Sequence, residues 1–196
     1  MPGPDGLSAL ASIGIGLGLA AACGFRVFVP LLVASVAGHL GHLPLTPGFA
    51  WLGSTPALVA LSTATVLEVV AYYLPWLDHA LDTIATPAAV IAGIVASASV
   101  LTDLPPLLRW MVPIIGGGGS AGLLQGATVL FRLKSATLTG GLGNPVVSTA
   151  ELIGAVFTSL LAVLLPLVCL VAVTALVALA FRATGRLLFG RHSTAG

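Results

Sequence analysis

Charge is scarce in this chain. Of 196 residues, seven are Lys or Arg and six are Asp or Glu, 7% in all, where a soluble domain carries about 25%. So few charged side chains cannot cover the surface of a water-soluble fold of this size. The net charge of +1 supplies no basic patch, which removes nucleic acid as a partner. Strict alternation of apolar and polar residues is also missing. The apolar runs are continuous and exceed the roughly 10 residues of a barrel strand, so a β-barrel is excluded. Cysteine is limited to Cys23 and Cys169, both inside apolar runs; they read as small buried hydrophobes rather than a disulfide or a metal pair. No H-E-x-x-H, no Walker motif and no dinucleotide fingerprint occurs, and nothing gathers Ser, His and Asp together. The expectation is therefore neither an enzyme nor a cofactor protein. A basic stretch before Leu7–Cys23 is absent too, Asp5 being the one early charge. That segment, although Ala20-Ala21-Ala22-Cys23 faintly resembles a lipoprotein box, is read as retained rather than cleaved.

What the chain has is apolar length. Hydrophobic residues make up 58%, with 24 glycines and 13 prolines, both residue types being enriched in membrane helices. The fold class expected is all-α: one polytopic transmembrane bundle of about five segments, some broken or re-entrant. They run at about 7–40, 55–74, 86–101, 107–133 and 151–181. A spanning helix needs about 20 residues, so the third is short unless its flanks join it. The first, as one straight helix, would reach about 51 Å against a hydrocarbon core of about 30 Å. The glycines at 14, 16, 18 and 24, and Pro30, offer places to break it. Pro166 does the same in the fifth.

Arg182, Arg186 and Arg191 favour a cytoplasmic C-terminus. Arg132 and Lys134 favour the cytoplasm as well, yet a single crossing by the fifth segment would put them on the opposite side. Either the rule is violated once or that segment does not simply span. Gly38-His39-Leu40-Gly41 and Gly140-Gly141-Leu142-Gly143 lie 102 residues apart, and Gly24 meets Gly126 at the same offset. Halves 7–75 and 107–181, linked by 86–101, are consistent with an inverted repeat, a transporter hallmark; chance alignment of small-residue-rich segments is the competing reading.

Charges inside apolar runs are the candidate site residues. Glu68 lies about 13 residues into its segment, where a charge costs about 2.5 to 3.5 kcal/mol. It reads as an ion or proton site, or as a buried acid tying helices together. Arg26 is the natural counter-charge, paired with Glu68 or Glu151, unless it snorkels to a headgroup. Asp78 and Asp82, at i and i+4 with His79 between, share one helix face; they read as an acidic access site or divalent-metal pair, or as an interfacial turn with Asp78 as N-cap. Gly116, Gly117, Gly118 and Gly119 permit either close helix packing or unwinding, with Gln125 able to face the same cavity. Gly140, Gly141, Gly143 and Asn144 form a loop that is a second mobile candidate. Ser148 and Glu151 read as a capping box opening a helix.

The stretches Gly24-Phe25-Arg26-Val27-Phe28-Val29-Pro30-Leu31, Leu67-Glu68-Val69-Val70, Trp76-Leu77-Asp78-His79-Ala80-Leu81-Asp82-Thr83 and Thr139-Gly140-Gly141-Leu142-Gly143-Asn144-Pro145-Val146-Val147-Ser148 resemble a family of small bacterial membrane proteins, domain of unknown function 4126. The resemblance covers roughly residues 10 to 170 and implies a bacterial membrane location. It implies no established activity and no site residues. Many relatives carry an Asp-Lys pair soon after the glutamate; Tyr72-Tyr73 stands about there in this chain, so a mechanism built on that pair does not carry over.

The leading expectation is a transporter or channel of the bacterial inner membrane for an ion or small solute, acting as a homo-oligomer among membrane lipids. Glu68 is its ion site, Arg26 the partner, and Asp78, Asp82 and Glu151 an acidic access or second site. The alternatives are a non-transporting scaffold that binds lipid or another membrane protein, and a lipid-modifying enzyme using Asp78, His79 and Asp82.

Overall fold

The computed structural model describes the backbone of residues 6–73, 75–102, 104–139 and 143–189, with side chains over the same ranges except 75–83 and 183–189. Among the described residues every regular element is helical. In chain order these are α1 (Gly6–Cys23), α2 (Phe28–His39), a 3₁₀ turn (Pro47–Gly53), α3 (Thr55–Tyr72), α4 (Pro75–Ala98), α5 (Pro106–Met111), a π segment (Val112–Gly118), α6 (Gly119–Thr139), α7 (Asn144–Leu164) and α8 (Pro166–Phe189). Among the described residues, four stretches are long and apolar enough to cross a bilayer: α1, α3, the continuous Pro106–Thr139 and α7. The chain is a multi-pass membrane protein.

The long first segment is divided. α1 ends at Cys23 and α2 begins at Phe28. Pro30 sits in the first turn of α2, where its missing N–H costs nothing. Its ring is incompatible with a helix running back through Arg26, because a helical proline clashes with the carbonyl four residues earlier. Gly24 completes the break: a Cβ there would lie 2.7 Å from both the Ala121 carbonyl oxygen and Leu124 Cβ. α2 has only 12 residues, about 18 Å at 1.5 Å per residue, and is too short to span. The residues at offset 102 are wound differently, since Gly126 lies inside the unbroken α6.

The last segment is divided as well, at the proline that offered a break. Leu165 leaves helical geometry at φ −136°, ψ 65°, and Pro166 opens α8. α7 and α8 then lie side by side, with Cys169 Sγ 3.8 Å from the Thr158 carbonyl oxygen near the turn. At the other end Val147, Ala150 and Glu151 of α7 line one cavity with Leu176, Leu179 and Ala180 of α8. The two helices form a hairpin. Lys134 and Arg182 consequently lie at the same end of the bundle, and the charge conflict of the single-crossing topology disappears.

The third segment gains its missing length from its N-terminal flank, because α4 starts at Pro75 rather than Thr86. Asp78 is therefore inside α4 and is not its N-cap. α3 matches its expected bounds closely, capped by Ser54, whose hydroxyl accepts from the Ala57 amide at 3.3 Å.

α1 is the central strut. Its residues Leu19 to Cys23 are fully buried. Its small residues admit neighbours on several sides: Gly14 meets the Pro166 backbone, Gly16 meets Ser97, and Gly18 meets Ala162 and Cys169. The glycine run after Pro113 is not unwound, as one reading of the sequence had it. It is coiled as a π segment and packed on α4, where a Cβ on Gly117 would lie 2.8 Å from the Gly93 carbonyl oxygen. Far from the α1–α2 break, Thr46 closes the bundle, its amide donating to Ser99 O at 2.8 Å and its hydroxyl to Ala98 O at 3.2 Å.

Candidate functional site

The break between α1 and α2 is where the buried charges meet. Arg26 is carried by the non-helical link and is 2% exposed, so it does not snorkel. Its Nη2 donates to the Ser148 carbonyl oxygen of α7 at 2.9 Å and lies 3.5 Å from Glu151 Oε2. Its guanidinium stands 3.8 Å from the centre of the Tyr72 ring. Arg132, from α6, ion-pairs with the same Glu151 Oε2 and stands 4.5 Å from the same ring. Two guanidinium groups thus share one carboxylate and one aromatic ring. Desolvated cation–π contacts of this kind contribute about 2 kcal/mol each, which helps offset the cost of burying the charges.

Glu68 does something different from what its depth suggested. Its Oε1 accepts from the Val27 amide at 2.7 Å and its Oε2 from the Phe28 amide at 3.0 Å. These amides belong to the last residue of the link and the first of α2, so Glu68 is an N-cap supplied by another helix. A carboxylate at this position meets both the orphan donors and the positive end of the helix dipole. Arg26 pairs with Glu151 rather than with Glu68, the second of the two pairings expected. Glu68 and Tyr72 are spaced i, i+4 on α3, and Ser148 and Glu151 i, i+3 on α7, so each helix presents two site residues from one face. α7 begins at Asn144, so Ser148 and Glu151 do not form the capping box expected of them. Tyr73 adds a tie between the same helices, its hydroxyl 2.9 Å from Thr149 Oγ1.

Two cavities flank the break. One, of about 410 Å³, lies among Phe25, Leu124, Phe131, Glu151 and Leu176. The other, of about 430 Å³, lies among Val27, Phe28, Leu67, Glu68, Tyr72 and Ile84. Both walls are mostly apolar, and each cavity reaches one buried carboxylate. Phe131, Leu67 and Ile84 are also exposed on the outer surface, so both cavities reach the outer face of the bundle.

Of the residues singled out in the sequence, the structure brings Arg26, Glu68 and Glu151 together. Gln125 is buried in α6, outside that set of contacts. Asn144 is the first residue of α7. Gly143 precedes it, its amide donating to Thr139 Oγ1 at 2.9 Å. The side chains of Asp78, His79 and Asp82, and residues Gly140 and Gly141, lie outside the described residues, and with them the reasoning for an acidic access site or a lipid-modifying centre. Among the described residues no three His, Cys, Asp or Glu side chains gather as a metal site. Cys23 and Cys169 are buried free thiols. Tyr72, Arg132 and Ser148 are the site residues that the sequence reading missed. The i, i+4 partner of Glu68, the i, i+3 partner of Glu151 and the arginine in conflict with the charge rule were their available signals.

A broken helix with a buried, cross-linked charge cluster defines a class: small polytopic membrane proteins with an ionic centre inside the helical bundle. Residues 13–186 match the family described as Domain of unknown function (DUF4126), and the chain belongs to that family. No curated protein and no solved structure matches it.

Proposed function

We propose that the protein is a small bacterial inner-membrane transporter or channel for an ion or small solute, with its centre at the Arg26–Tyr72–Arg132–Glu151 cluster. The observation that carries this reading is Arg26 itself: a guanidinium buried at a helix break, with Nε and Nη1 lacking any acceptor among the described residues. At lipid depth each unsatisfied polar group costs several kcal/mol, a cost that is tolerable where water or a solute passes. Broken helices with charges at the break are the usual build of such a centre. Glu68 serves it by fixing the position of the link that carries Arg26. Two wall-lining cavities in so thin a bundle favour a homo-oligomer. The paired α7–α8 hairpin, with Lys134 and Arg182 at one end, favours that end as cytoplasmic.

The test is flux. Protein reconstituted in liposomes is expected to pass at least one of protons, potassium or chloride, followed with pH-sensitive dyes and ion electrodes. Arg26→Gln is expected to abolish that flux, and Glu68→Gln to reduce it by displacing the link. Wild-type liposomes no leakier than empty ones, or an Arg26→Gln protein as active as wild type, would remove the proposal.

A second reading has a specific observation behind it. Glu68 on the α2 amides and Arg26 on the Ser148 carbonyl tie helices together, and the cavities that reach the carboxylates are lined by apolar groups. A scaffold that binds lipid or another membrane protein needs no more than this, and it predicts no flux.

A further inference from the structure

We infer that Arg26 and Ser148 form a binding site for a small monovalent anion. This deepens the proposed function by making the solute, or its co-ion, anionic; the binding itself does not depend on that function. Arg26 Nε and Nη1 and the Ser148 hydroxyl are all fully buried and without a hydrogen-bond partner among the described residues. They belong to one neighbourhood, because Arg26 Nη2 holds the Ser148 carbonyl oxygen at 2.9 Å. Every one of these groups is a donor, so a ligand at either edge of the guanidinium must present acceptors.

The acidic groups nearby do not fill that role. Glu151 Oε2, 3.5 Å from Arg26, is held by Arg132. Both oxygens of Glu68 accept from the amides of Val27 and Phe28. The Tyr72 ring lies against the guanidinium at 3.8 Å, which leaves approach in the plane of the N–H groups. The donors are buried between two cavities, one walled by Phe25 and Glu151 and the other by Val27, Glu68 and Tyr72. A ligand there must be small. A halide or a planar oxyanion such as formate, nitrate or bicarbonate fits that description; phosphate and sulfate bring a second charge to desolvate.

The experiment uses the purified full-length protein in detergent. Its melting temperature is measured in sodium fluoride, chloride, nitrate, formate and bicarbonate at constant ionic strength, with gluconate as the bulky reference. At least one small anion is expected to raise the melting temperature saturably, as a ligand of the native state does. Arg26→Gln is expected to lose the effect. Ser148→Ala, a smaller change that keeps the fold should Arg26→Gln fail to, is expected to bind about tenfold more weakly, the loss expected of one hydrogen bond to a charged partner. No saturable shift in wild type, or an equal shift in Ser148→Ala, would overturn the site and leave water as the partner of Arg26. Anion binding without flux in liposomes would remove the transport reading and keep the site. Cation flux indifferent to these anions, with no shift, would do the reverse.

Discussion

Glu68 accepts two amide hydrogen bonds from a helix that is not its own, and that makes its two obvious substitutions informative. Glu68→Ala leaves the amides of Val27 and Phe28 without acceptors in a low-dielectric surrounding, at a cost of about 2 to 4 kcal/mol. Glu68→Gln keeps one acceptor oxygen and is expected to lose roughly half of that. Chemical denaturation of the purified protein, read by circular dichroism, measures both. If Glu68→Ala unfolds where wild type does, the cap contributes nothing and the buried carboxylate needs another explanation. Composition and position within an apolar run exposed Glu68 and Arg26 as special. The partners were hidden, because an acid that caps a distant amide has the same sequence appearance as an acid that binds a proton.

At the scale of elements, winding and packing decide what glycine is for. Gly117 in the π segment faces Gly93 of α4, and a Cβ on either would fall below 3.0 Å from the other's carbonyl oxygen. Gly119, two residues on, has open space where its Cβ would stand. Gly117→Val is expected to cost about 1 to 3 kcal/mol through overpacking. Gly119→Ala is expected to be neutral or to stabilise by about 0.5 to 1 kcal/mol. Melting temperatures of the two variants separate a packed interface from an unwound, mobile loop, in which Gly117→Val would be as harmless as Gly119→Ala. The four-glycine run admitted both states on paper. The choice was made by α4, a helix that lies far away in the chain until it docks against the run.

For the whole molecule the decisive feature is the α7–α8 hairpin, which returns the chain to the end where α6 leaves it. Single cysteines at Lys134 and Arg182, in a background with Cys23 and Cys169 replaced by Ser, are expected to be shielded from a membrane-impermeant maleimide in intact cells. A cysteine at His42, beside Leu164 near the hairpin turn, is expected to be labelled. Labelling of residues 134 and 182 from opposite sides of the membrane would mean that the fifth segment crosses once. Residues 151–181 gave no warning of two crossings other than Pro166 and the clash with the charge rule, since about 30 apolar residues accommodate one tilted span as readily as two short legs.

Alone, the amino-acid sequence determined that this chain lives in a bilayer as helices. Lipid accepts apolar surface that water rejects, and a backbone without water must bond to itself. It also marked the break points, because proline and glycine act on their own few neighbours. Only the tertiary structure decided how Arg26, Tyr72, Arg132, Ser148 and Glu151 share one site, and that Glu68 holds a helix end. Those contacts join residues as far as 125 positions apart, and they exist because helix packing brings the link, α2, α3, α6 and α7 together.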